Sequence, residues 1–368
     1  MSRALETFLD LVRISSPTGR ERGVAEYVVE GLRAAGCDVR VDDTTAQTGA
    51  DTGNVIATLP GSLPGPVVAL CAHMDCVQPC EGVVPVVVEG VVRSAGDTVL
   101  GGDDKVGVAA ILEVMQRIAG SDEPRVTVKA VLTVSEEEGL KGAKALASAD
   151  AAAGLCLVLD GDGPVGGIVT AAPTHYTFTA AFIGRAAHAG VEPEKGVSAI
   201  TMAADAIGRM ALGRIDDITT ANIGTIAGGS ATNVVAPTCT VTGECRSRAR
   251  DRVERVREAM DAAMRSAAHD AGGAVEVSWT LEYEGFTLAP DDPAVALVAA
   301  ACADVGVEPR LFATGGGSDA NVLAALGVPT LVLSCGMTKV HTVDEELPVA
   351  DLDRLVDVLG AVVRRAAS

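Results

Sequence analysis

The stretch PVVALCAHMD, Pro66–Asp75, is a continuous apolar run that ends in a histidine and, two residues on, an aspartate. It is strand-like, and three further runs resemble it: NVIATLP (54–60), RVTVKAVLTVSEEE (125–138) and GLCLVLDGDG (154–163). Between the second and third of these four runs lies DDKVGVAAILEVMQRIAG (103–120), whose apolar residues follow a helical period. Alternation of strands and helices indicates an α/β layer architecture. The last three strands end in polar clusters: His73 with Asp75, Glu136 to Glu138, and Asp160. In open α/β sheets the carboxyl edge of the strands is where ligands bind.

Outside this block the pattern changes at about Thr174. HYTFTAAFIG (175–184) is strand-like, VSAITMAADAIGRMAL (197–212) is helical, and two more strand runs follow through Arg246. Residues 251–270 place Val253, Val256, Met260, Ala263 and Ala267 on one helical stripe. After LEYEGFTLAPDDP (281–293) the helix and buried strand alternation returns with AVALVAAACADVG and VPTLVLSCG. The chain therefore reads as an α/β domain over 1–173 and 285–368, with a smaller α+β domain inserted at 174–284. At 368 residues it exceeds what one core usually fills, which agrees with two domains.

Acidic residues outnumber basic ones 49 to 29, a net charge of −20 that argues against a nucleic-acid or anionic-membrane partner. The segment MSRALETFLDLVRISSPTG reads as an amphipathic helix broken at Pro17 and lacks the features of a signal peptide; no apolar run approaches a membrane span. Nine cysteines without Cys-x-x-Cys pairs fit reduced thiols, so a cytoplasmic location is expected. Cys71, Cys76 and Cys80 lie near His73, but the surrounding carboxylates favour a harder ligand set than thiolate.

Each motif has a plain structural reading of its own. A histidine ending a buried strand often satisfies a local hydrogen bond, and the aspartates of GGDDKVG (101–107) suit a helix N-cap. SEEEGLKGAK (135–144) sets three carboxylates in a row, where repulsion costs energy unless cations compensate it. Asp160 ends another strand, and KVHTVDEELP (339–348) adds His341. Two histidines and at least three carboxylates from separate strand ends make an oxygen and nitrogen cage suited to zinc, manganese or cobalt.

In order along nearly the whole chain stand His-x-Asp, Gly-x-Asp-Asp-Lys-x-Gly, Glu-Glu-x-Gly-x-x-Gly, a strand-terminal Asp, Ala-His-Ala-Gly, Gly-Gly-Ser-Asp-Ala-Asn and a C-terminal His. Together they resemble the dinuclear zinc peptidase family that contains peptidase T, carboxypeptidase G and succinyl-diaminopimelate desuccinylase. TVSEEEGLKGAKAL and LDGDGPVGGIV are most similar to the peptidase T-like branch. The resemblance implies a three-layer α/β catalytic domain with an inserted ferredoxin-like lid and dimerisation domain.

It also implies a site. Asp103 would bridge two metals, His73 and Asp160 would complete one site, and Glu137 and His341 the other, with water between the metals as nucleophile. Asp75 would hold the other ring N–H of His73, and Glu136 would be the general base. Within the triplet, Glu136 and Glu137 keep the family spacing to Gly139 and Gly142, leaving Glu138 as the variable position. The bond after the bridging aspartate would be cis. From the inserted domain, His188 would donate to the substrate carbonyl oxygen of a partner subunit, while Asn233 and Arg246 would anchor substrate. Gly316 and Asn321 would let backbone approach it. His175 and His269 match nothing in the family, and Asp97, Asp162, Asp319 and Glu345 lie near motifs without an assigned role.

The implied activity is amide hydrolysis in short peptides by a tripeptide aminopeptidase acting as a homodimer in the cytoplasm, with two divalent metals, zinc first and cobalt or manganese as alternatives. N-acyl amino acid deacylation and C-terminal trimming use the same chemistry. A non-catalytic binding protein on the same fold is the reading from another class.

Overall fold

The computed structural model describes residues 2–367. They divide into two compact units: the first comprises residues up to Thr170, Leu288–Ala313 and the segment from Ser318 onward, and the second comprises Ala171–Thr287 with Thr314–Gly317. The inserted unit is thus three residues longer at each end than the sequence pattern suggests. It also includes a four-residue return segment that nothing in the local pattern announces.

In the first unit, four parallel strands form the centre of the sheet in the order Val128–Thr133, Val68–His73, Leu155–Gly161 and Thr330–Ser334. Val55–Leu59 and Asp38–Val41 extend it antiparallel on one side. The strand beginning at Gly167 pairs antiparallel with Thr330–Ser334 on the other. Every residue of Val68–His73 is buried. Val68, Leu70 and Ala72 face the main core with Leu112 and Ile111, while Ala69 and Cys71, also buried, point to the opposite face. A strand buried on both faces needs no alternation, which is why PVVALCAHMD is continuously apolar.

Helix Gly102–Ala119 packs on the central strands, with Arg3–Arg13 and Val349–Ala366 against it. Its apolar residues run nearly all the way round, as a helix enclosed on several sides requires. Helix Arg3–Arg13 is amphipathic, as the sequence suggests, but it ends four residues before Pro17. The helical φ/ψ of Gly102–Ala119 is interrupted at Asp103 and Asp104, and the peptide bond between those two is cis. Among the described residues no helix is long and apolar enough to cross a membrane. All nine cysteines are free and buried.

The second unit follows a β-α-β-β-α-β order. Strand Thr174–Ile183 is followed by helix Ala199–Gly208, strands Thr219–Gly228 and Thr238–Ser247, helix Arg250–Asp270 and strand Ala274–Tyr283. The strands pair antiparallel, with Thr238–Ser247 and Ala274–Tyr283 flanking Thr174–Ile183, and Thr219–Gly228 outermost of these four. This is the ferredoxin-like arrangement. Helix Arg250–Asp270 buries Val253, Met260, Met264, Ala267 and Ala268 against Phe178 and Phe182. Met264 thus takes the core position that periodicity had placed at Ala263. Gly317, in the return segment, meets the Tyr283 ring so closely that an added Cβ would lie 2.2 Å from it, so only glycine fits.

Candidate metal centre and active site

The carboxyl ends of the parallel strands, with the turn at Asp103 and the His341 loop, bring His73, Asp103, Glu137, Asp160 and His341 together. His73 ends its strand almost completely buried. Its Nε2 lies 3.1 Å from Asp103 Oδ1 and 3.7 Å from Asp160 Oδ1. The other oxygen of Asp103, Oδ2, is 3.1 Å from His341 Nε2, which is also 3.2 Å from Glu137 Oε1. Asp103 therefore presents one oxygen to each histidine. His341 sits at a φ of +62°, which turns its ring back toward these carboxylates.

The residues fit divalent metal. His73, Asp103 and Glu137 each offer a ligand atom within 4.8 Å of the others, and so do His73, Asp104 and Asp160. Glu137 Oε1 is buried and lies 3.2 Å from His341 Nε2, a pairing that a bound cation would replace by ligating both. Asp104 is a weaker ligand candidate than Asp103. Its Oδ2 accepts from the His73 amide and its Oδ1 from the Gly107 amide, so it caps the helix while its neighbour faces the histidines. The N-cap and ligand readings of GGDDKVG are thus divided between the two aspartates.

The carboxylates and histidines shift one another's affinity for protons. Burial opposes charge on His73, but Asp103, Asp160 and Asp75 outweigh it and raise the imidazole well above its ordinary value. Asp103 and Glu137 push His341 up to about 10. Burial, with the nearby charge of Asp103, lifts Asp160 to about 7. Burial, followed by the charge of Asp160, pushes the Glu136 carboxyl well above the usual range.

Asp75 is fully buried and does more than orient His73. Its Oδ1 accepts from the Glu136 amide at 3.0 Å and lies 3.4 Å from His73 Nδ1, whose closer partner is the Asp75 backbone carbonyl at 3.1 Å. Its Oδ2 accepts from Thr18 Oγ1 at 2.7 Å and from the Glu137 amide at 3.3 Å. One carboxylate thereby ties the histidine strand to the glutamate turn. Glu136 is not in either ligand group, and Glu138 points outward and pairs with Lys141.

Three supporting residues carry little or no sequence signal. Glu345, buried, accepts from the amides of Gly101 and Asp103 at 2.8 Å each and clamps the turn that carries Asp103. Its place in the acidic stretch after His341 was the one available hint. Glu21, also buried, accepts from the Ser135 amide and hydroxyl and holds the positive φ of Ser135 ahead of Glu136. Asp319 accepts from Thr133 Oγ1 and keeps a second buried oxygen, Oδ1, without a hydrogen bond.

In the second unit, His188 and Asn233 sit on paired segments. The Ala189 amide donates to the Asn233 carbonyl, and the Val235 amide to the Ala187 carbonyl. Both residues are exposed. His188 Nδ1 accepts from the Gly190 amide, which places the ring proton on Nε2. Arg246 is engaged: its Nε and Nη2 reach both oxygens of Glu244, and its Nη1 donates to Tyr283. His175 Nε2 shares Glu244, so it belongs to this cluster rather than standing apart. Gly316 is exposed.

The Asn321 side chain is buried and closes a capping box with Ser318 at the start of helix Asp319–Ala325, accepting from the Ser318 amide. Its side-chain oxygen therefore serves the helix start, and what it offers toward a substrate is the close backbone approach of this turn.

Residues 69–365 match the model of peptidase family M20/M25/M40, and the chain belongs to that family of metal-dependent peptidases. An uncharacterized protein of Bacillus subtilis, YqjE, is 42% identical over 99% of this chain and 98% of its own length. Among solved structures, the aminopeptidase PepT of Bacillus cereus superposes with a TM-score of 0.94 at 40% identity, covering 100% of this chain and 98% of that one. A tripeptidase of Staphylococcus aureus gives a TM-score of 0.96 at 37% identity over 99% and 98% of the two chains.

Proposed function

We propose that the chain is a tripeptide aminopeptidase that works as a cytoplasmic homodimer with two divalent ions, zinc by preference. The observation that carries the reading is Asp103, whose two oxygens each face a different histidine while Glu137 stands beside the second of them. His73 and Asp160 would hold one ion, Glu137 and His341 the other, and Asp103 both. When bound, such ions polarise the scissile carbonyl and lower the pKa of water.

The chain's own residues supply the rest. Glu136 takes the proton from the attacking water and passes it to the leaving amine; its raised affinity for a proton suits both steps. Asp75 keeps His73 and the Glu136 backbone in place during that transfer. His188, with its proton on Nε2, donates to the carbonyl oxygen as negative charge develops there. Asn233 on the adjacent segment anchors the substrate.

Substrate choice rests on likeness to the PepT aminopeptidase and the tripeptidase. Pairing through the second unit is favoured by strand Thr219–Gly228, which pairs on its outer side only at Thr219–Ala221 and so leaves an edge open from Asn222 onward, with Ile226 exposed. The cytoplasm is favoured by nine free thiols.

The test is a panel of free and N-acetylated di-, tri- and tetrapeptides and N-acyl amino acids, offered to zinc-, cobalt- and manganese-loaded protein with products read by mass spectrometry. Release of the N-terminal residue from free tripeptides is expected to dominate. Faster cleavage of N-acyl amino acids would replace the reading with deacylation, and metal binding without any turnover would replace it with a binding protein.

A further inference from the structure

We propose that a second site, at the far end of the central sheet from the metal cluster, binds a small organic carboxylate with a branched apolar body. A cleft of about 300 Å³ lies among the C-terminal half of helix Gly102–Ala119, the residues leading into strand Val128–Thr133, the end of helix Pro293–Asp304 and helix Val349–Ala366. Its volume is at the lower end of what small-molecule sites occupy. Arg125 stands before strand Val128–Thr133, and Glu136 and Glu137 stand after it. The cleft and the metal ligands are therefore at opposite ends of that strand.

The floor is apolar: Val114, Val356 and Val363 are buried core residues, and Ile118 adds a partly buried side chain. The rim is positive, with Arg117, Arg125 and Arg364 against Glu123 and Asp357, in a chain whose net charge is −20. Arg117 is already held by Glu113 and Asp357. Arg125 differs: its Nε is buried and makes no hydrogen bond. Arg125 as a whole is half-buried, and a carboxylate, whose two oxygens match the guanidinium fork, is the partner suited to a positive rim above an apolar floor.

Gly360 makes the space. It lies inside helix Val349–Ala366, where glycine is the least favourable residue after proline. An added Cβ would meet only the flexible end of Arg364, at 3.4 Å. A larger side chain can thus be placed there without striking backbone, and it would fill the cleft.

The probe is 4-methylpentanoate, titrated into the metal-loaded full chain carrying ¹³C-labelled valine and isoleucine methyl groups. Saturable shifts are expected at Val114, Ile118, Val356 and Val363, with Kd on the order of a millimolar for so few atoms. Neutral 4-methylpentanamide should bind at least about tenfold more weakly, as should the charged probe to Arg125→Gln, since one charged pairing is worth about that factor or more. Gly360→Leu should abolish the shifts while leaving the rest of the methyl spectrum in place. Absence of saturable shifts, shifts confined to methyl groups near His73, or equal binding by the amide or by Arg125→Gln would each overturn the proposal. None of these outcomes depends on the peptidase substrate.

Discussion

Replacing Asp75 by asparagine would break two links with one atom. The carboxylate is fully buried, and both oxygens are used: Oδ1 by the Glu136 amide and, at longer range, His73 Nδ1, and Oδ2 by Thr18 and the Glu137 amide. An asparagine amide has one oxygen, so whichever way it turns, an NH2 group faces donors on one side. Two acceptor contacts are lost, each worth about 1–3 kcal/mol where the donor is left buried, for a combined loss of roughly 2–6 kcal/mol. For a unit of this size each kcal/mol shifts Tm by about 2–4 °C, so a fall of roughly 4–24 °C is expected. Burial works against the charge of Asp75, but His73, Thr18 and the Glu136 amide prevail and hold its pKa below the ordinary value. Its contribution is thus present above about pH 3.8 and fades as pH falls through the lower folded value, so pH 7 is the proper condition. Calorimetry of the metal-loaded protein, with zinc titration in parallel, reads both effects; metal affinity should drop about 10- to 100-fold because the buried negative charge beside His73 is gone and the glutamate turn is held less firmly. A Tm within about 1 °C of the parent together with unchanged metal affinity would refute the reasoning.

Glu136→Gln should retain metal by elemental analysis and lose about a hundred- to ten-thousand-fold in turnover, because an amide cannot accept the proton. Glu137→Gln should instead lose metal, and the reverse pattern would shift the assignment by one residue. Mixing inactive Glu136→Ala and His188→Ala chains under subunit exchange should restore roughly a quarter of parental activity, since about half of the dimers are mixed and each has one complete site. No recovery despite demonstrated exchange would remove His188 from the partner's site. His175 and Arg246 hold Glu244 down to about 2, so the stability it contributes is present above about pH 4.5 and is lost between there and pH 2. Thermal unfolding should therefore show the parent converging on Glu244→Gln as the pH is lowered through that window, and parallel curves would contradict it.

PVVALCAHMD carried its own strand assignment because both faces of the sheet are covered, and a strand enclosed on both sides must be apolar throughout. The order of the motifs likewise placed the histidines and carboxylates at one edge, since parallel strands joined by helices put all their carboxyl ends together. What the sequence could not settle was the division of labour among adjacent groups. Asp103 and Asp104 have the same chemistry. Only the kinked backbone decides that one faces the histidines while the other takes two amide protons. Asn321, read only as a place of close backbone approach, also closes the capping box of the helix it lies in. Glu21 lies 114 residues from the Ser135 it supports, and Glu345 lies 242 from the Asp103 amide it accepts from. Neither relation has a local period or spacing, so it exists only once the chain has folded. The sequence by itself determined which chemistry collects at the sheet edge, because strand direction and residue type are local. Tertiary structure decided which carboxylates face the metal cluster and which hold backbone in place, because that depends on where distant amides come to rest.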